Sequence, residues 1–143
     1  MLKNKLTGGK STGLFTGLFR KHGKDRDGFF AWLDAILARE LEVGIRAICF
    51  NLYEDVGNKW SVELVGTDSF EEDSDDWACR EVFATRDHPF VIQRASDWRT
   101  MEGVFTDLMR DYLSHGKYAG KLKQYQAVGL GFVDGDLHVL YRA

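Results

Sequence analysis

The stretch from Ile45 to Val65 restricts the fold more than any other part of this sequence. Ile45 to Tyr53 is apolar on both faces of an extended chain, the pattern of a strand at the centre of a sheet. Glu54-Asp55-Val56-Gly57-Asn58 supplies turn chemistry. Lys59 to Val65 then alternates, with Trp60, Val62 and Leu64 on one face and Ser61 and Glu63 on the other. Two adjoining strands with a short connection predict an antiparallel hairpin.

Two segments carry helical periodicity instead. After Asp27-Gly28, the residues Phe29, Phe30, Leu33, Ile36, Leu37 and Leu41 recur at steps of three and four, and Gly44 can end the helix. Asp97 offers an N-cap to the strongest helix, whose stripe runs Trp98, Met101, Phe105, Leu108, Tyr112, with Gly116 as its stop. Between the helices, Glu81–Ala84 and Phe90–Gln93 read as short strands, with Pro89 at a strand start or edge. Residues 117–125 are basic and contain Gly120, which predicts a loop or a single helical turn. Ala127–Val133, Asp134-Gly135 and Asp136–Arg142 then read as a second hairpin, on a two-residue type I′ turn.

The expectation is therefore a single α+β domain over residues 27–143. It has a mainly antiparallel sheet of about five to six strands, with two principal helices packed on one face. A chain of 143 residues fits one domain, and 44% apolar with 29% charged residues excludes collagenous, low-complexity and disulfide-scaffold classes.

Charge is unevenly spread. Residues 1–27 hold seven cations against Asp25 and Asp27, a balance of +5, which leaves −8 on the remainder and −3 overall. Residues 1–26 thus read as a basic N-terminal arm. Ser11 or Thr12 can cap a short helix there, with Leu14, Phe15, Leu18 and Phe19 on one side. Those apolar residues suit packing against the domain or contact with a membrane surface. The cations lack interleaved stacking residues, so no nucleic-acid partner is expected. No run approaches the roughly 18 apolar residues of a spanning helix, and there is no secretory signal pattern, so a cytoplasmic protein without stable membrane insertion is expected. Monomer and homodimer both stay open.

Catalytic motifs fail on context. Gly8-Gly9-Lys10-Ser11 would need glycine at Asn4 and a preceding strand to be a phosphate loop. Gly9-Lys10-Ser11-Thr12-Gly13 has the letters of a nucleophile elbow without its buried strand. His22, His88, His115 and His138 form no metal-binding spacing, and Cys49 and Cys79 form no CxxC pair. No enzyme activity, metal or cofactor is expected.

The most informative stretch for function is Asp68 to Trp77. Asp68, Glu71, Glu72, Asp73, Asp75 and Asp76 place six carboxylates within nine positions, with Phe70 and Trp77 among them. An EF-hand reading fails for want of the central glycine. Clustered anions attract a basic surface, and aromatic residues among charges are typical of protein interfaces. These eight residues are the candidate partner-binding site, although Trp77 could instead close the sheet beside Val82 and Phe83.

Cys49-Phe50-Asn51-Leu52-Tyr53-Glu54, Trp60-Ser61-Val62-Glu63-Leu64-Val65-Gly66, Asp75-Asp76-Trp77-Ala78-Cys79 and Gly131-Phe132-Val133-Asp134-Gly135-Asp136 carry a resemblance. Over residues 45–142 the chain resembles small bacterial proteins of immunity type, encoded beside polymorphic toxins. The resemblance implies a cytoplasmic protein that binds a cognate toxin and occludes its active site. With the acidic stretch as docking face, the expected toxin is basic, such as a nuclease with a cationic cleft. The alternative is a small enzyme or ligand-binding domain with a pocket between the second main helix and the sheet, lined by Tyr53, Trp60, Arg94, His138 and Tyr141.

Overall fold

Alternation along a strand sends successive side chains to opposite faces of the sheet, and here both faces are used. The computed structural model describes residues 13–143, with side chains from residue 23 onward. The glycine-lysine motifs at 8–11 and the capping residues Ser11 and Thr12 lie outside the described residues, as do the side chains of Leu14, Phe15, Leu18 and Phe19.

Strands β1 (Ala47–Asp55) and β2 (Lys59–Thr67) form the expected antiparallel hairpin, with Ala47 opposite Thr67 and Asp55 opposite Lys59. The chain reverses through Gly57 (φ 77°) and Asn58 (φ 59°), left-handed conformations that these two residue types adopt at least cost. Strands β3 (Glu81–Ala84) and β4 (Phe90–Gln93) both pair antiparallel with β2, β3 along Val65–Thr67 and β4 along Lys59–Val62. Together they make one interrupted edge, and Pro89, which has no N–H to donate, falls in the interruption.

On the other side of β1 lies β5 (Ala127–Phe132), followed by β6 (His138–Arg142), in the order β3-β2-β1-β5-β6. The six-stranded sheet is antiparallel except for β1 and β5, which run parallel with Ile48 opposite Val128. The α+β architecture expected from sequence is the one observed.

Helices α1 (Gly13–Leu37) and α2 (Trp98–His115) cover one face, with a single turn, α3 (Ala119–Leu122), after them. Phe29, Leu33 and Leu37 of α1 and Met101, Phe105, Leu108 and Tyr112 of α2 bury against Ile48, Phe50, Leu52, Trp60, Val62 and Leu64. Asp97 caps α2 by accepting the Thr100 N–H at 2.7 Å. A smaller core of Ala47, Cys49, Val65, Trp77 and Ala127 fills part of the opposite face.

Two expectations are corrected. The first helix does not begin after Asp27-Gly28 but runs through them, because its middle turn is tied to the body. Arg26 pairs with Asp111 at 2.5 Å and Asp25 with Arg94 at 2.6 Å. Gly28 is a close-packing residue, since a Cβ there would lie 3.0 Å from the Phe90 ring. The same helix ends at Leu37 rather than near Gly44. Lys121 Nζ donates to the Leu37 and Arg39 carbonyls at 2.5 and 2.6 Å, a cation on the negative end of the helix. Gly44 adopts φ 94° in the turn before β1.

The second correction is the β5–β6 connection. It spans 133–137, and among the described residues neither Asp134 nor Gly135 has a positive φ, so it is not a type I′ turn. Gly135 N–H instead closes a turn on the Phe132 carbonyl at 2.9 Å. Gly131 permits this fold-back, because any Cβ there would run into the Asp136 carbonyl.

Candidate functional site

After Thr67 the chain crosses the second face of the sheet, and this placement decides what the acidic stretch can do. Trp77, in the 3-10 turn Asp76–Cys79, is 1% exposed and forms part of the small core. Phe70 is half-buried and meets it edge-on, with ring centroids 5.2 Å apart. The Trp77 ring is closed to solvent, and Phe70 keeps part of its ring exposed. Asp68 is held by Arg80 at 2.8 Å, and the guanidinium keeps its carboxyl below the usual range. Glu72 pairs with Arg142, also at 2.8 Å. Glu71, Asp73, Asp75 and Asp76 remain exposed. The eight predicted residues therefore divide: the aromatics close the sheet, two carboxylates brace the loop, and four face solvent.

A different concavity opens where β1 and β5 end side by side and α2 begins. The cleft holds about 570 Å³. Leu52, Tyr53 and Glu54 form one wall and Trp98 and Glu102 of α2 another. The chain from Phe132 to Asp136, with His138, completes it. Four lining residues are carboxylates (Glu54, Glu102, Asp134, Asp136), and none of the described lining residues is Lys or Arg.

Trp98 is 49% exposed, although its place in the helical stripe predicts a core residue. As the first residue of α2 it lies beyond the strands that cover the later turns, with its ring perpendicular to that of Phe132 at 6.2 Å. The Arg99 guanidinium sits 5.2 Å from the centre of the Trp98 ring. His138 Nε2 lies 3.6 Å from Glu102 Oε2, an ion-pair distance when the imidazole is protonated but too long for a hydrogen bond.

Of the residues expected to line a helix–sheet pocket, Tyr53 and His138 do. Trp60 is buried, with its indole N–H on the Arg94 carbonyl at 2.9 Å. Arg94 is engaged by Asp25, and Tyr141 donates to the Lys123 carbonyl at 3.0 Å. Sequence reasoning missed Glu54, Trp98, Glu102, Asp134 and Asp136. The available signal was the position of Trp98 directly after its N-cap, where a helical stripe has not yet entered the core.

Tyr53 links the cleft to a polar group on the second face of the sheet. Its hydroxyl donates to Glu63 Oε2, to which the Asn51 amide also donates at 3.4 Å. Burial and this hydrogen bond raise the Tyr53 pKa. Glu63 is 1% exposed and faces Arg86, which also binds Glu81 at 2.7 Å. Arg86 Nε lies 3.0 Å from Glu63 Oε1 but off the N–H direction, so that oxygen accepts no hydrogen bond among the described residues. Cys49 donates to Asn51 Oδ1 at 3.3 Å, and burial pushes its thiol up to about 12, far from a reactive thiolate.

Among the described residues no three His, Cys, Asp or Glu side chains are placed to hold a metal ion, and no helix is long and apolar enough to cross a membrane. Fold and site together define an α+β domain with an acidic cleft at the end of its central parallel pair. Comparison with protein-family models, with curated proteins and with solved structures finds no match for the chain.

Proposed function

We propose that the protein is a non-catalytic binding module that docks a positively charged protein at the cleft between α2 and the sheet. The observation that carries this reading is Trp98, half exposed within a concavity whose described lining has four carboxylates and no Lys or Arg. A large aromatic side chain in a pocket is the usual centre of binding energy in an interface, and surrounding charge of one sign accelerates encounter with the opposite sign. The exposed Glu71, Asp73, Asp75 and Asp76 add to the same field. The sequence resemblance supplies the setting: a cytoplasmic immunity-type protein that neutralises a cognate bacterial toxin by covering a cationic active site.

The test is co-purification from the native host using the native protein and a Trp98→Ala/Glu102→Gln variant in parallel. The expected result is a basic protein retained by the native form, lost with the variant or at moderate salt, and harmless to cells only when both are co-expressed. A partner retained equally by both forms overturns the reading. The cleft volume also lies in the range of small-molecule sites. That favours one second reading, a ligand-binding domain for a small organic cation.

A further inference from the structure

We infer that the occupant of the cleft is an arginine side chain of the docked partner, laid against the cleft side of Trp98. This rests on the docking reading above and specifies its central contact.

Three observations converge. The described lining is anionic, so a buried occupant must bring positive charge. Its carboxylates are dispersed, since no three acidic or histidine groups gather closely enough for a metal ion. An ammonium is a compact point charge, whereas a planar guanidinium carries five N–H donors in a fixed fork that can bond more than one carboxylate. Finally, a guanidinium already lies against the Trp98 ring outside the cleft lining, that of Arg99 at 5.2 Å from the ring centre. A guanidinium is more weakly hydrated than an ammonium and stacks on an indole as well as attracting it, so the wall favours arginine over lysine. The positive end of α2 does not oppose such a guest, because Asp97 places a carboxylate at its N-cap.

The experiment titrates the full chain with the tripeptide Gly-Arg-Gly and follows the tryptophan indole N–H signals by NMR. Gly-Lys-Gly, Gly-citrulline-Gly and spermidine serve as comparators. The indoles of Trp32 and Trp60 donate to the carbonyls of His88 and Arg94 at 2.7 and 2.9 Å and act as internal references. The expected result is a shift of the Trp98 signal with Gly-Arg-Gly, about tenfold weaker binding of Gly-Lys-Gly, and no shift with the uncharged citrulline peptide. Glu102→Gln should weaken binding about fivefold.

Equal binding of the lysine and arginine peptides, or binding of citrulline, overturns the inference. Tighter binding of spermidine than of either peptide also overturns it, in favour of a small organic cation. If no peptide moves Trp98 while a basic partner is still captured and lost with the Trp98→Ala/Glu102→Gln variant, the arginine contact falls and docking stands. If Gly-Arg-Gly binds but no basic partner is captured, docking falls and the inference with it, leaving a cleft that binds guanidinium groups.

Discussion

The segment Asp68–Trp77 and the cleft at the strand ends are built from the same chemistry, carboxylates around an aromatic ring, and they use it in opposite ways. In the first, Trp77 points into the sheet, and Arg80 and Arg142 hold two of the six carboxylates. In the second, Trp98 points outward, and none of the four carboxylates has a Lys or Arg beside it in the described lining. The denser cluster is the one laid over a packed core. Which side of the sheet the backbone crosses decides whether a ring closes a core or lies open to solvent, and local composition does not encode that crossing.

Denaturation in urea should separate the two tryptophans most widely. Trp77→Ala empties a fully buried site and should cost about 3–5 kcal/mol, whereas Trp98→Ala should change stability by less than about 1 kcal/mol. Equal losses would break the contrast. Next in size is Gly131→Ala, whose Cβ collides with the Asp136 backbone. A loss of about 1–3 kcal/mol is expected, together with altered Trp98 fluorescence, because the displaced loop forms a cleft wall. A native-like Trp98 signal would show that the fold-back does not shape the cleft.

Thiol labelling at pH 8 sharpens the same contrast between covered and open chemistry. The exposed Cys79 should react in the native state, and Cys49 only on unfolding. The sign for Cys49 is that of an acid whose pKa is raised on folding. Its contribution is complete below the ordinary 9.0 and is lost as pH rises from there toward about 12. Rapid labelling of both thiols would mean that the Trp77 cluster is open.

The smallest effect is at the acid end. Asp68 is lowered chiefly by its hydrogen bond from Arg80, and Asp97 by the Thr100 amide. A carboxyl lowered on folding stabilises above its ordinary range and loses that contribution as pH falls through the folded value. Carboxyl titration by NMR should place both midpoints below those of the unfolded chain, and Arg80→Gln should return Asp68 toward the ordinary value while leaving Asp97 unmoved.

What was legible in the sequence is what periodicity encodes. The alternation of Lys59–Val65 and the stripe from Met101 to Tyr112 became β2 and the buried side of α2, as read. Partner choice was not legible. The parallel pairing of β1 with β5 leaves no mark on either strand, because alternation says which way side chains point and not which strand lies alongside. Glycine misled twice for one reason: Gly28 and Gly131 read as a break and as ordinary strand, and both serve close approach of another group. At the site, Phe70 and Trp77 were conspicuous for sitting among charges, and the charges proved to be the outer surface of their packing. Trp98 was inconspicuous because it continues the stripe.

The pairing of Ile48 with Val128 has a consequence for biosynthesis. A ribosome releases β1, β2 and the start of α2 long before β5, so the inner edge of β1 waits unpaired while the intervening helices emerge. The cleft draws its walls from β1, α2 and the last hairpin, and it cannot exist on a nascent chain that stops short of His138. An unfinished copy therefore lacks the cleft altogether.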